Sequence, residues 1–182
     1  MYFKKLVGKK CYLSPNDTND AVKFTEWVND LDLTVNLDLY SININTEAEK
    51  IILENFSKDH HYSIVVIDTN EIIGTCGYIE MDKLNQTAEI VIFIGNKHFW
   101  NKGYGREALT LLIDYGFKAL NLHNIMLKVY EFNIGAVKCY ENIGFKHIGT
   151  RREALNRNLD KHNVLFMDLL AEDFYRKSDN TK

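Results

Sequence analysis

The chain has 182 residues, 46% hydrophobic residues and a net charge of −3, which is typical of one soluble globular domain. Its 22 Lys and Arg are outnumbered by 25 Asp and Glu, which excludes a broad basic surface for nucleic acid. Pro15 is the only proline, so no proline-rich linker divides the chain. We expect a single domain over residues 1–175 and a polar tail over 176–182.

The cysteines and the hydropathy pattern indicate the compartment. Three cysteines, Cys11, Cys76 and Cys139, form no CxxC pair and no metal-ligand spacing, which is typical of reduced thiols. No apolar run approaches the roughly 20 residues of a membrane helix. The sequence therefore predicts a cytoplasmic protein without a metal site, without membrane contact and without a nucleic-acid partner.

The first third of the chain mixes strand and helix signals. We expect a short strand at Lys9–Leu13, a turn at Ser14–Asp17 and a helix over Asn19–Val28. Leu31–Asn45 is rich in Asn and Asp and is typical of a long loop or an irregular strand. Thr46-Glu47-Ala48-Glu49 fits a capping box and predicts a helix that ends near Ser57.

The hydrophobic period then changes from helical to alternating. β-branched and aromatic residues predict strands at Tyr62–Asp68, Ile72–Glu80 and Thr87–Ile94. The short polar connectors between them favour antiparallel hairpins. Lys9–Lys10 near the N-terminus is interpreted as a solvated charged face.

The second half of the chain alternates helices and strands. Four-residue spacing predicts a helix from Gly103-Tyr104-Gly105 to Leu120. Asn133 is placed to cap a further helix, and Gly144 stands where that helix needs a left-handed residue. The remaining predicted strands are Ile125–Val129, Lys146–Ala154 and Asn163–Leu170. Together the elements predict a mixed α/β (α+β) sheet with helices on its faces.

The Gly103-Tyr104-Gly105 segment, which stands directly before a predicted helix, is the strongest indication of a binding site in the sequence. Glycines before a helix allow close approach to backbone N–H groups, and a helix N-terminus attracts anions. Lys102 and Arg106 flank the segment and suit a phosphate ligand. No Gly-Lys-Ser/Thr follows, and Ala108 replaces the third glycine of a dinucleotide fingerprint. An ordinary tight turn is the alternative to an anion site.

Two longer stretches, Trp100-Asn101-Lys102-Gly103-Tyr104-Gly105-Arg106-Glu107-Ala108-Leu109 and Val129 to Phe145, carry a family resemblance. As a pair in this order they resemble the GNAT superfamily of acetyl-CoA-dependent N-acetyltransferases, and most closely its RimJ/RimL branch. The resemblance implies a mostly antiparallel central sheet of about seven strands, splayed between strands 87–94 and 125–129. It departs from the usual motif at Trp100, where Gln or Arg is common.

The resemblance also implies where acetyl-CoA binds. Pantetheine would pair with the backbone of Phe93, Ile94 and Gly95, and Asn133 matches an Asn that often contacts the cofactor. The pyrophosphate would lie on the amides of the next segment, which comprises Asn101, Lys102, Gly103, Tyr104, Gly105 and Arg106. Acetyl-CoA is then the cosubstrate, with no metal.

The implied reaction is direct attack of a primary amine on the acetyl thioester. Tyr140 matches the Tyr that commonly protonates the leaving thiolate, and Glu89 is the candidate base through water. Each residue also has a structural interpretation. Tyr140 can be a packed aromatic, Glu89 a solvated strand residue and Asn133 a helix cap alone. Cys139 is interpreted as a packed thiol.

The acceptor and the biological class stay open. A protein N-terminus, a polyamine or a drug-like amine would fit the reaction, and acidic loop residues such as Asp32 and Asp82 would favour a cation. A non-catalytic acyl-CoA sensor and a nucleotide-phosphate binder are the alternatives to an enzyme. The protein would be a monomer or a homodimer, with strand 163–170 as an exposed edge for pairing.

Overall fold

The computed structural model describes residues 1–179, in which eight strands form one sheet. The strands are β1 (Leu6–Val7), β2 (Cys11–Pro15), β3 (His61–Val66), β4 (Ile72–Asp82), β5 (Thr87–Ile94), β6 (Asn124–Tyr130), β7 (Lys146–Arg157) and β8 (Asp160–Leu170). The helices are α1 (Ala21–Val28), α2 (Leu31–Thr34), α3 (Thr46–Phe56), α4 (Tyr104–Ala119), α5 (Ile134–Ile143) and α6 (Ala171–Asp179). The expected mixed α/β architecture is confirmed, and β1 is the strand that the sequence did not predict.

The sheet follows the order β1-β2-β3-β4-β5-β6-β8-β7. Antiparallel registers join β1 to β2, β2 to β3, β3 to β4, β6 to β8 and β7 to β8, whereas β5 and β6 are parallel. The parallel register covers Thr87–Glu89 against Asn124–Met126, which agrees with an opening of this pair after Glu89. The expectation that strand 163–170 forms an edge is wrong, because β8 lies between β6 and β7.

Strand β2 lies two residues further along the chain than the sequence predicted. Ser14 and Pro15 were expected in a turn, but they pair with Ser63 and Tyr62 of β3. Proline is tolerated there because Pro15 is the last residue of β2, where the loss of one N–H donor costs little. Asp17 then caps a short 3₁₀ turn, since its side chain accepts a hydrogen bond from the N–H of Asn19.

Helix caps explain where the first helices begin. Asp30 accepts from the N–H groups of Asp32 and Leu33 and so starts α2 inside the region expected to be a loop. Helix α3 is capped by Asn45, whose side chain accepts from the N–H of Ala48. The predicted capping box at Thr46 is therefore wrong by one residue, because Asn and Thr are both good caps and compete for the position.

The chain groups into two compact units. Unit 1 comprises Met1–Tyr78 and Val91–Leu112, and unit 2 comprises Ile79–Ile90 and the chain from Ile113 onward. The domain boundary at residue 175 stays a prediction. No helix within residues 1–179 is long and apolar enough to cross a membrane.

Each unit has its own buried apolar contacts. In unit 1, a cluster of buried side chains joins α1, α2, α3, β4 and β5; it comprises Ala21, Phe24, Trp27, Leu33, Leu53, Ile72 and Phe93. In unit 2, Phe174 of α6 packs against Phe117 of α4 with ring centroids 5.8 Å apart. Helix α6 continues to Asp179, so the predicted tail from residue 176 begins inside a helix, and its residues 180–182 lie outside the described residues.

Candidate active site

The last residues of β5 lie in unit 1, where Phe93 forms a buried aromatic pair with Trp27. Phe93 meets Trp27 edge to face, with ring centroids 6.1 Å apart. A Cβ at Gly95 would lie 2.1 Å from the Trp27 indole, so this position excludes any side chain. The N–H of Gly95 donates to the carbonyl of Ile73 at 2.9 Å. Packing alone therefore accounts for Gly95, and its amide already has a partner within the sheet.

The loop after β5 is anchored by Trp100, the residue at which the motif departs from its common form. Its indole N–H donates to the carbonyl oxygen of Ile94 at 2.8 Å. The carbonyl oxygen of Ile94 keeps a second lone pair for a further donor. The exposed Trp100 thus fixes the backbone of the loop where Gln or Arg is more usual.

Two left-handed residues shape the loop between Trp100 and α4. Asn101 has φ of +57° and Gly103 has φ of +85°, a region that Asn and Gly tolerate best. Helix α4 then begins at Tyr104, so its first N–H groups have no carbonyl of a preceding turn to bind. This geometry directs free backbone donors out of the helix N-terminus, where the dipole favours an anion.

Gly105 gives an independent indication of a ligand at this helix end. A Cβ at Gly105 would find its nearest neighbour, Cδ1 of Ile92, at 3.6 Å, which is an ordinary van der Waals distance. Nothing in the described chain therefore requires glycine at this position. Close approach of a molecule to the backbone is a physical reason for it, and a phosphate on the helix amides fits.

The side chains around the loop are mostly basic and exposed. Lys102 Nζ lies 3.2 Å from Nε2 of His98, one turn before it, and Arg106 extends from the first turn of α4 into solvent. Lys10 of the β1–β2 turn also reaches the loop, where its Nζ donates to the carbonyl oxygen of Lys102 at 2.8 Å. Lys10 is exposed, as the predicted solvated face requires, and it also has this one backbone partner.

Glu107 joins the β1–β2 turn to the start of α4. Its Oε1 accepts hydrogen bonds from the backbone N–H of Lys10 at 2.7 Å and of Cys11 at 3.0 Å. Desolvation acts to raise the pKa of Glu107, but these N–H donors outweigh it and leave the pKa below its ordinary value. Gly8 opposite it leaves room for the carboxylate, since a Cβ there would lie 2.3 Å from the same oxygen and would displace the Glu107 side chain.

Glu89 is the last residue of β5 paired with β6, and it belongs to unit 2. Its carboxylate is buried, with 6% of the residue exposed. Oε2 lies 2.9 Å from Nζ of Lys128 on β6, in an ion pair whose alignment leaves this oxygen without a well-directed hydrogen bond. The alternative of a solvated strand residue is therefore wrong, because the carboxylate is enclosed and its charge is balanced by Lys128.

Helix α5 supplies the other two candidates of unit 2. Asn133 caps the helix, since Oδ1 accepts from the N–H of Ala136 at 3.3 Å. Gly144 ends it with φ of +128°, as predicted. The Tyr140 ring meets Phe145 with centroids 5.9 Å apart, and its hydroxyl has no hydrogen-bond partner among residues 1–179. Burial raises the pKa of Tyr140, so the phenol stays protonated at neutral pH.

Residues 11–146 match the family model described as an acetyltransferase (GNAT) domain. The chain belongs to the GNAT acetyltransferase family. It is therefore an acetyl-CoA-dependent acetyltransferase, and the family model covers the loop before α4 together with Glu89, Asn133 and Tyr140.

Two relatives and one solved structure show what this GNAT chain resembles. The uncharacterized N-acetyltransferase p20 of Bacillus licheniformis is 32% identical over 158 residues, which cover 84% of this chain and 85% of that protein. Spermidine N(1)-acetyltransferase of Vibrio cholerae is 30% identical over 143 residues, which cover 78% of this chain and 75% of that protein. A crystal structure of spermidine N-acetyltransferase from Vibrio cholerae in complex with CoA and spermine has the same fold, with a TM-score of 0.79 at 24% identity; it covers 92% of this chain and 99% of that chain.

The candidate residues divide between the two units of this GNAT enzyme. Unit 1 carries the β5 end and the loop, namely Phe93, Ile94, Gly95, Asn101, Lys102, Gly103, Tyr104, Gly105 and Arg106. Unit 2 carries Glu89, Asn133 and Tyr140. Their individual roles stay predictions. Within residues 1–179, no group of three or more His, Cys, Asp or Glu side chains is arranged to hold a metal ion.

Sequence reasoning missed three residues around these candidates. Glu107 accepts a hydrogen bond from the backbone N–H of Lys10, which lies 97 positions earlier in the sequence. No local sequence pattern predicts a contact between residues so far apart. Lys128 could have been found, because a lysine on the strand parallel to β5 is a natural counterion for a buried Glu89.

Proposed function

We propose that the protein transfers the acetyl group of acetyl-CoA to a primary amine by direct attack within a ternary complex. The observation that carries the catalytic part is the Tyr140 phenol, which is protonated at neutral pH and has no hydrogen-bond partner among residues 1–179. A free donor of this kind suits protonation of a departing thiolate. Membership of the GNAT family supports the same reaction class.

The end of β5 and the loop before α4, both in unit 1, would bind acetyl-CoA. The amides from Asn101 to Arg106 and the charges of Lys102 and Arg106 would hold the phosphates. The free lone pair on the carbonyl of Ile94 and the backbone of Phe93 would accept the pantetheine amides. Gly95 would contribute by its lack of a side chain, since its N–H already donates to Ile73.

Three side chains of unit 2 would carry the chemistry. Tyr140 donates its phenol proton to the sulfur as the C–S bond breaks. Glu89 accepts the proton that the amine loses, through one water, and Lys128 keeps the carboxylate in place. Asn133 contacts the cosubstrate while its Oδ1 caps α5.

Among amines, polyamines are the first acceptor class to test. The support is the 30% identity to spermidine N(1)-acetyltransferase of Vibrio cholerae, because identity at this level extends beyond the fold. Acidic loop residues add little support. Asp82 accepts from the N–H groups of Leu84 and Asn85 within its own turn. Asp32 lies 3.8 Å from Nζ of Lys97, in an exposed ion pair that partly balances its charge.

We keep the RimJ/RimL-like branch and a cytoplasmic location as parts of this proposal. The motif over Trp100–Leu109 supports the branch, and it makes protein N-termini the second acceptor class. Three cysteines without disulfides, of which Cys11 and Cys76 are buried, support a reducing compartment.

Calorimetric titration with acetyl-CoA, with CoA and ATP as controls, tests the cosubstrate. We expect one-to-one binding of both CoA species and weak binding of ATP. A chain that binds ATP better than CoA would instead be a nucleotide-phosphate binder, and the proposal would be wrong.

Thiol release with an amine panel then tests the reaction. The panel comprises spermidine, spermine, a peptide with a free N-terminus and an aminoglycoside. Turnover with at least one amine supports the enzyme, and faster turnover with spermidine than with the peptide supports the polyamine class. If the protein binds acetyl-CoA tightly but neither acetylates any of these amines nor hydrolyses the thioester, it would be an acyl-CoA sensor.

A further inference from the structure

Lys10, a lysine of the N-terminal segment, reaches the loop before α4. Its Nζ donates to the carbonyl oxygen of Lys102 at 2.8 Å and lies 5.8 Å from the centre of the Tyr104 ring. A Cβ at Gly103 would find Nζ as its nearest atom, at 3.5 Å. The ammonium group therefore lies beside the left-handed turn from which α4 starts.

The position of Lys10 is set by its backbone rather than by its long side chain. The Glu107 carboxylate binds the N–H groups of Lys10 and Cys11, and Gly8 leaves room for this carboxylate. The carbonyl of Lys10 accepts from the N–H of Ile67 at 3.0 Å. With both backbone groups bonded, the Cα–Cβ bond of Lys10 has a fixed direction, and the exposed side chain extends from there to the Lys102 carbonyl.

The ammonium group of Lys10 offsets the negative charge of Glu107 at the N-terminus of α4. Glu107 is ionised at neutral pH because its pKa is lowered, and a carboxylate in the first turn of α4 would repel a phosphate. The lysine that Glu107 holds returns a positive charge to the same place. An ammonium group has three N–H donors, so the bond to Lys102 leaves two for a ligand.

We propose that Lys10 is a phosphate ligand of acetyl-CoA and that Glu107 is the positioning residue that presents it. This inference rests on the proposed function, because it needs acetyl-CoA at the N-terminus of α4. The ligand chemistry is a phosphate ester, which acetyl-CoA offers both as its diphosphate and as its 3′-phosphate. Lys10 thereby adds to Lys102 and Arg106 a third cation, contributed from a segment about 90 residues away in sequence.

A purely structural role for Lys10 is the competing explanation. The bond from Nζ to the carbonyl oxygen of Lys102 could simply hold the loop in shape. A loop-shaping lysine would affect every CoA analogue equally, whereas a phosphate ligand affects only those analogues that carry phosphate. The ligand series can therefore separate the two explanations.

The test compares Lys10→Met with Lys9→Met by calorimetry on the full chain. Lys9 is the adjacent exposed lysine, and no hydrogen bond or ion pair of its side chain occurs within residues 1–179, so it controls for net charge. The probes are CoA, 3′-dephospho-CoA and S-acetyl-pantetheine, which has no phosphate. We expect Lys10→Met to weaken CoA binding by about fivefold to tenfold and Lys9→Met by less than about twofold.

The probes also assign the phosphate. A loss seen with CoA but absent with 3′-dephospho-CoA assigns Lys10 to the 3′-phosphate, and an equal loss with both assigns it to the diphosphate. The KM of the acetyl donor S-acetyl-pantetheine should not change in either variant. Lys10→Arg should restore most of the affinity, because a guanidinium group also donates to phosphate.

Glu107→Gln tests the positioning role. It should weaken CoA binding about as much as Lys10→Met, and the double variant should be no weaker than either single one. A melting curve accompanies it, since loss of the ionised acceptor destabilises the turn. If the Glu107→Gln variant does not fold, Lys10→Met still tests the phosphate contact, because Lys10 is exposed and its substitution should not prevent folding.

Two outcomes overturn the inference and a third concerns the proposed function. Unchanged CoA affinity in Lys10→Met, or an equal loss with the phosphate-free analogue, would show that Lys10 is not a phosphate ligand. Failure of the unsubstituted protein to bind any CoA species would instead contradict the proposed function. Because the unsubstituted protein is measured first, the two failures are distinguishable.

Discussion

The loop before α4 and the candidate residues of unit 2 are built in opposite ways. The loop relies on its backbone, with left-handed Asn101 and Gly103, free helix amides and exposed side chains. Unit 2 relies on side chains, namely a buried Glu89 carboxylate, 6% exposed, and a half-buried Tyr140 phenol whose pKa desolvation raises. Substitutions that remove a few side-chain atoms should therefore have their largest effects on kcat and stability in unit 2. Substitutions that change the preferred backbone φ should have their largest effects on CoA affinity in the loop.

The largest effect is expected from Tyr140→Phe. The substitution removes one oxygen and should lower kcat by about a hundredfold or more, because loss of a general acid typically costs this much. The affinity for acetyl-CoA should change by less than about twofold, since the ring still packs on Phe145. Steady-state kinetics and calorimetry provide the two values.

Tyr175→Phe is the matched control for that variant. It also removes a phenol oxygen in unit 2, one that donates to Asp114 at 3.2 Å. Its kcat should stay within about twofold of the unsubstituted enzyme. A Tyr140→Phe enzyme as active as this control would exclude Tyr140 from the mechanism and remove the contrast with the loop.

Lys128→Met should give the largest loss of stability. It leaves the buried Glu89 carboxylate without the ammonium 2.9 Å away, and we expect the free energy of unfolding to fall by about 1–3 kcal/mol. Glu89→Gln/Lys128→Met should be the more stable protein, because no buried charge remains. Urea unfolding of the single and double variants checks this order, and the reverse order would show that the pair is not buried in solution.

Gly103→Ala tests the loop through its backbone. A left-handed φ costs a residue with a Cβ about 1–2 kcal/mol, so CoA affinity should fall by up to about tenfold while kcat at saturation stays near normal. Gly135→Ala is the control, since no atom lies within 4 Å of the place that its Cβ would occupy and a helical Ala should slightly stabilise α5. If Gly103→Ala binds CoA as well as Gly135→Ala does, the loop does not depend on its left-handed turn.

Asn133 allows its two roles to be separated. Asn133→Ala should lower the free energy of unfolding by about 1 kcal/mol, because the cap on Ala136 is lost. Asn133→Asp should keep the stability, since Asp caps equally well, and should weaken acetyl-CoA binding if the amide contacts the cosubstrate. Full affinity in Asn133→Asp would leave only the capping role.

The smallest effect concerns Cys11, behind the loop. Desolvation, followed by the nearby Glu107 carboxylate, raises the pKa of the Cys11 thiol to about 12. The thiol therefore stays protonated at pH 8, and iodoacetamide should not label it until urea unfolds the protein or the pH rises toward that value. Mass spectrometry of labelled peptides measures this. Rapid labelling of the folded protein at pH 8 would show that Glu107 does not close this turn.

Much of the fold could be predicted because local signals decided it. β5 and α5 have the predicted ends, since the apolar run of Thr87–Ile94 is bounded by polar connectors and Asn133 and Gly144 mark the two ends of a helix. Local signals failed where tertiary pairing competed with them. Ser14 and Pro15 resemble a turn, but the neighbouring strand β3 holds them in the sheet.

The candidate site could be predicted only in part for a related reason. The motifs locate Gly103, Asn133 and Tyr140, but the partners that set the properties of Glu89 and of the loop come from other strands. Lys128 reaches Glu89 through the parallel register, and Lys10 reaches the loop through Glu107. Such contacts depend on the sheet order, which no short sequence pattern contains.

The bond between Glu107 and the backbone of Lys10 also bears on how the protein is made. It closes a loop of 97 positions, so the first strand pair cannot take its final place until the chain through α4 has left the ribosome. During synthesis β1 and β2 must wait for most of unit 1 to emerge. The N-terminal strands are translated first, but they are thus among the last parts of this unit to reach their final hydrogen bonds.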